Sequence, residues 1–77
     1  MGRMRDYSLF IEDDRYTVPS LVFVIAASDE RAREIAFDHL HRSHHHLSVE
    51  VRTLRGVVCK IRRADAAQEI GDGPISN

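Results

Sequence analysis

The sequence predicts an α+β fold: a four-stranded antiparallel sheet in the order β-β-α-β-β, with one helix packed on one face. Two observations predict this fold. The apolar run LVFVIAA at residues 21–27 leads into an amphipathic segment at residues 28–40, which is typical of a buried strand followed by a capped helix. Segments in which apolar and polar residues alternate, typical of half-buried strands, lie on either side of this unit.

The first two strands are predicted at residues 6–12 and 21–26. The first alternates, and it places Tyr7, Leu9 and Ile11 on the core face. The second is apolar on both faces, so both faces should be covered. We expect the helix to cover one face and a partner chain, or the chain's own tail, to cover the other.

The helix is predicted to begin after Ser28, because its hydroxyl can accept a hydrogen bond from the first turn, and to end within residues 42–45. Asp29 and Glu30 place negative charge at the positive end of the helix dipole. Helical spacing predicts a core stripe formed by Ala32, Ile35, Ala36, His39 and Leu40.

The last two strands are predicted at residues 47–53 and 57–62, joined by a hairpin turn in which Gly56 supplies a positive φ. The core face of the third strand is expected to carry Leu47, Val49, Val51 and Thr53. One face of the fourth strand is expected to carry Val57, Cys59 and Ile61. Residues 1–63 are predicted to form a single domain, and residues 64–77 a flexible C-terminal tail because Gly, Pro, Ser and Asn are frequent there.

Composition narrows the choice of partner and compartment. A chain of 77 residues can bury only a modest core, so self-association into a homodimer is predicted. The net charge of −1 gives no overall basic field that would draw the chain to nucleic acid. The single cysteine, Cys59, is typical of a reducing compartment, which predicts the cytoplasm. No apolar run approaches the roughly 20 residues of a membrane-spanning helix, so no membrane is predicted as a partner.

With these elements placed, the chain resembles a class of small bacterial β-β-α-β-β proteins of unknown function. The resemblance lies in a D-E-x-A-x-x-x-A helix motif that starts at Asp29 and a V-x-V-R-x-x-x-G-x-V hairpin motif that starts at Val49. It implies the fold and carries no active site. The order of a charged hairpin at residues 11–15, Pro19 and an E-A-type helix at residues 30–36 is similar to that of HicB-like antitoxins, and this likeness implies a regulatory role.

Histidines are concentrated around the predicted end of the helix. The five fall within eight positions: His39, His41, His44, His45 and His46. If the helix continues through the cluster, His41 and His45 stand at i and i+4 on one face and could bind a metal ion. Alternatively, the negative end of the helix dipole alone favours histidines there. His39 is expected to be buried and neutral, because it belongs to the core stripe.

A group of basic residues on the second hairpin could bind phosphate or an acidic partner. It consists of Arg52, Arg55, Lys60 and Arg62. Phe10 and Phe23 belong to the first hairpin, so the patch is expected to lack the interleaved aromatic rings of single-strand-binding surfaces and to be an ordinary solvated face. The acidic residues at positions 12–14 are likewise expected to be a solvated turn, and Cys59 a structural thiol.

The function that these features favour is a protein-protein interaction or regulatory module without catalysis or cofactor. Its homodimer interface is predicted to lie on the sheet face opposite the helix or along the edge at residues 21–26, and to include Phe10, Val22 and Val24. Two alternatives remain: a weak nucleic-acid-binding or antitoxin-like regulator that uses the basic patch, and a metal binder that uses the histidine cluster.

Overall fold

The computed structural model describes residues 3–64. It has the predicted α+β architecture, a four-stranded antiparallel sheet with one helix in the connection between the second and third strands. Its elements are β1 (Arg5–Asp13), β2 (Ser20–Ala26), α1 (Asp29–His41), β3 (His46–Thr53) and β4 (Gly56–Arg62). Apart from Ala64, the predicted tail at residues 64–77 lies outside the described residues.

The strand order is β2-β1-β3-β4, so the two hairpins lie side by side and pair through β1 and β3. Leu9 is opposite Val22 of β2 on one side and opposite Val51 of β3 on the other. The two central strands are therefore the buried ones. Within the described part of the chain, β2 is an edge strand, which the apolar character of both its faces did not indicate.

The core lies between α1 and one face of the sheet. The predicted alternation in β1 is confirmed, because Tyr7, Leu9 and Ile11 are all buried. The other buried apolar residues are Ala26, Ala32, Ala36, Leu40, Val49, Val51 and Ile61. We call this sheet face the closed face and the opposite one the open face.

Helix α1 begins as predicted. The Ser28 side chain accepts a hydrogen bond from the backbone N–H of Arg31, with an N···O distance of 3.1 Å. Of the predicted core stripe, three residues are buried, namely Ala32, Ala36 and Leu40. Ile35 and His39 are half-buried, because they lie at the margins of the contact with the sheet.

Two β-bulges change the faces predicted for single residues. The shift between Glu12 and Asp13 leaves Leu47 without a partner in the register, and Leu47 is exposed rather than in the core. The second shift lies between Val51 and Arg52 in the pairing of β3 with β4, and it brings Val57 opposite Arg52 on the open face. The expectation that Val57 shares a face with Cys59 and Ile61 is therefore wrong. Alternation alone cannot reveal an extra residue in one strand.

The turn between β3 and β4 has the predicted backbone geometry. Gly56 has a φ of +131°, a region that side-chain-bearing residues rarely adopt. Gly56 pairs with Thr53, so the loop itself contains two residues, Leu54 and Arg55. Both of these side chains are exposed.

Arg63 closes the C-terminal end of α1, a role that the sequence pattern did not predict. Its guanidinium donates to the carbonyl oxygens of Leu40 at 2.6 Å, Ser43 at 2.7 Å and His46 at 2.8 Å. The last carbonyls of a helix have no partner within the helix, and a cation near them also favours the helix dipole. Arg63 thus joins the end of β4 to the end of the helix.

Candidate functional site on the open face of the sheet

The β2 side of the open face is apolar. Leu21, Phe23 and Ile25 occupy alternate positions of the edge strand, with 47%, 74% and 59% of their surfaces exposed. We call these three residues the apolar stripe. Leu21 is opposite Phe10 of β1, which is half-buried and continues the apolar surface toward the centre of the sheet.

The β3–β4 side of the same face is charged. Arg52 donates from Nε to Oε2 of Glu50 at 2.9 Å, and Lys60 is opposite Glu50 in the register. Arg62 is opposite Ser48, and because paired residues share a sheet face, Arg52, Lys60 and Arg62 lie on one face. The remaining residue of the predicted basic patch, Arg55, lies in the turn beyond the strands.

The aromatic rings are closer to the basic residues than the sequence indicated. The strand order brings β1 beside β3, and the Arg52 guanidinium carbon is 4.8 Å from the centroid of the Phe10 ring. This is a cation–π contact. The expectation that the basic patch lacks neighbouring aromatic residues is therefore wrong for Phe10. Phe23 also lies on this face, opposite Ser8.

The predicted interface residues fall on different faces. Phe10 lies on the open face, whereas Val22 and Val24 are half-buried and pack against the core on the closed face. Of the two predicted interfaces, the sheet face opposite the helix therefore does not include these two valines, whereas the edge at residues 21–26 does. Because both faces of β2 are apolar, only its register with β1 shows that the odd-numbered residues point away from the helix. The composition of β2 alone does not reveal this register.

The histidine cluster does not form the predicted helical pair. Helix α1 ends at His41, so the premise that His41 and His45 stand on one face of a continuous helix is wrong. The Nδ1 atom of His41 is 2.9 Å from the Phe37 carbonyl oxygen, and that of His45 is 2.9 Å from Oδ1 of Asp14. Between residues 3 and 64, no group of three or more His, Cys, Asp or Glu side chains is arranged to hold a metal ion.

Asp13 is a buried carboxylate rather than part of a solvated turn. Its side chain is only 3% exposed, and it accepts hydrogen bonds from the backbone N–H and the guanidinium of Arg15 at 2.7–2.9 Å. The hydrogen bonds from the Arg15 guanidinium hold the pKa of Asp13 well below its usual range, although burial opposes them. The His46 ring lies near Asp13, with 3.7 Å between Nε2 of His46 and Oδ2 of Asp13. The Nδ1 atom of the same ring is 2.7 Å from the His39 carbonyl oxygen. These contacts fix the turn after β1 against the end of the helix.

Hydrogen bonding and burial within the fold explain the shifted pKa values of two further side chains, Tyr7 and Cys59. Tyr7 donates its hydroxyl to Oδ1 of Asp29 at 2.7 Å, and this hydrogen bond, with burial, raises the pKa of Tyr7. Cys59 is half-buried against the core, and burial raises the pKa of its thiol. A thiol with a raised pKa is a poor nucleophile at neutral pH, in keeping with the structural role predicted for it.

Of the helices in the described residues, none is long and apolar enough to cross a membrane. No protein-family model, curated protein or solved structure matches the chain.

Proposed function

We propose that the chain is a protein-interaction module without catalysis, that it acts as a homodimer, and that its contact surface is built around the apolar stripe. The observation that carries this proposal is the exposure of Leu21, Phe23 and Ile25 at consecutive positions of one face of an edge strand. Monomeric proteins rarely expose large contiguous apolar patches, and such patches are typical of interaction sites.

Energetic considerations support self-association. Burying a large apolar side chain is worth about 1.5–3 kcal/mol. In a symmetric pair the exposed parts of two copies of the stripe contact each other, and this gain offsets part of the roughly 4–15 kcal/mol that association costs. The small core of the monomer would gain stability from the same contact, because folding and association are linked.

The titratable side chains support a role without catalysis. Asp13 forms an ion pair with Arg15, Tyr7 donates a hydrogen bond to Asp29, and Cys59 packs against the core. In each case the shifted pKa has a structural cause that needs no substrate. The single cysteine also supports the proposal that the protein works in a reducing compartment, the cytoplasm.

A second candidate function is the binding of single-stranded nucleic acid. It is favoured by the placement of Phe10 and Phe23 on the same sheet face as Arg52, Lys60 and Arg62. Aromatic rings and cations on one face are the elements of a base-stacking surface, where each stacked base contributes about 1–3 kcal/mol. Glu50 lies between Arg52 and Lys60 and offsets part of their charge, which favours the protein partner.

Sedimentation equilibrium at micromolar concentrations tests the proposal. We expect the full chain to be a dimer and Phe23→Asp to be a folded monomer, because a carboxylate would be desolvated in the interface. Leu54→Asp is the matched control, since Leu54 is fully exposed in the β3–β4 turn and belongs neither to β2 nor to its neighbour β1. A wild-type chain that stays at 8.8 kDa would contradict the homodimer. Binding of a fluorescent oligonucleotide that weakens steeply with salt would favour the second candidate.

A further inference from the structure

The two edges of the sheet differ in their protection against pairing with another strand. The β4 edge carries Lys60 and Arg62, and a bulge leaves Val58 out of the register. Charged residues and bulges are the features by which natural sheets discourage edge pairing. The β2 edge has neither, and residues 16–28 contain no Asp, Glu, Lys, Arg or His.

We propose that two copies of the chain join β2 to β2 in antiparallel orientation, with a two-fold axis at Phe23, to form one continuous eight-stranded sheet. This inference rests on the proposed homodimer and specifies its geometry. Phe23 is the midpoint of β2, which runs Ser20–Ala26, so pairing about this residue engages the whole strand. Phe23 then lies opposite the partner's Phe23, and Leu21 lies opposite the partner's Ile25.

The sequence of β2 is complementary to itself in this register. The numbers of the two residues in each pair differ by an even number, so paired residues always point to the same face of the sheet. The two apolar stripes therefore lie side by side on the open face, while Val22 meets the partner's Val24 on the closed face. Every pair from Leu21 to Ile25 is apolar on both sides. A two-fold interface requires this kind of self-matching surface, and a charged partner strand would find no opposite charge in β2.

Edge pairing also agrees with the distribution of charge on the open face. Stacking of two open faces would remove Glu50, Arg52, Lys60 and Arg62 from water, and the desolvation of such groups is costly. Pairing through β2 leaves these residues at the far side of each copy, separated from the new contact by β1. The neighbouring stripes remove part of each other's apolar surface from water, and the charged surface stays hydrated.

Disulfide cross-linking tests the register. In a Cys59→Ala background, Phe23→Cys should form a covalent dimer on mild oxidation, because directly opposed residues have Cα atoms about 4.5–5.5 Å apart, within the range of a disulfide. Leu21→Cys is the matched control. In the proposed register the two copies of position 21 are four residues apart along the strands, or about 13 Å. We expect on the order of tenfold more covalent dimer from position 23 than from position 21.

A second variant keeps the test independent of Phe23. Leu21→Cys combined with Ile25→Cys retains the phenylalanine pair, and it should cross-link between position 21 of one copy and position 25 of the other. The wild-type chain could sediment as a dimer while neither this double variant nor Phe23→Cys yields more covalent dimer than Leu21→Cys. That result would overturn edge pairing but leave the homodimer intact. A wild-type monomer would overturn both.

Discussion

The closed and open faces of the sheet are made by the same four strands and have opposite properties. On the closed face, every strand contributes to a core covered by α1, and the central residues Leu9, Val49 and Val51 are inaccessible to solvent. On the open face, an exposed apolar stripe adjoins a charged surface. The comparison teaches that the fold needs only one face to be covered, so the residues of the other face are available for binding.

Replacement of a matched pair of leucines should separate the two faces most clearly. Leu40 is fully buried against the closed face, and Leu21 is about half exposed on the open face. We expect Leu40→Ala to lower the free energy of unfolding by about 2–5 kcal/mol, because it leaves a cavity in the core. Leu21→Ala should cost the dilute monomer less than about 1 kcal/mol. Chemical denaturation measures both, and equal losses would contradict the division between faces.

Adjacent arginines at the end of β4 offer a second test of the same comparison. Arg63 donates to the carbonyl oxygens of Leu40 in α1 and of Ser43 and His46 after it. Arg62, in contrast, is exposed on the open face. We expect Arg63→Ala to lower the free energy of unfolding by roughly 2–3 kcal/mol, because three hydrogen bonds to a charged group are lost. Arg62→Ala should cost less than about 0.5 kcal/mol.

Amide hydrogen exchange in the last turn of α1 would locate the effect of the Arg63 change. Exchange there should rise in Arg63→Ala and stay unchanged in Arg62→Ala, because of these two arginines it is Arg63 that donates to the Leu40 carbonyl. A loss of stability with unchanged exchange at the helix end would show that Arg63 acts elsewhere.

The closed face was predictable from the sequence to a greater extent than the open face. The alternation at Tyr7, Leu9 and Ile11 and the cap at Ser28 are local signals, and each is found in the structure. The faces of Leu47 and Val57 depend on bulges, which arise from the pairing of strands and leave no trace in a single strand.

The candidate site depends on strand order, which is a property of the whole chain. The contact between Phe10 and Arg52 exists because β1 pairs with β3, although the two residues belong to different hairpins. The exposure of the apolar stripe follows from the register of β2 with β1, which turns these residues to the open face, and from the edge position of β2. Arg63 is a similar case, because its carbonyl partners are at least 17 positions away in the sequence.

The smallest expected effect concerns His39, at the margin of the closed face. Burial, followed by the neighbouring Arg42, lowers the pKa of His39 below its ordinary value of 6.5. The unfolded chain therefore binds more protons at this position as the pH falls, so the stabilising contribution of neutral His39 is present above pH 6.5 and is lost on acidification through the folded-state pKa.

We expect His39→Leu to reduce the loss of stability between neutral pH and pH 5, measured by thermal denaturation. His44→Ala is the control, because His44 is exposed and should leave the pH profile unchanged. The hydrogen bond from His46 is to the backbone carbonyl of residue 39 and should survive the change. A wild-type profile for His39→Leu would place His39 with the solvated residues rather than with the closed face.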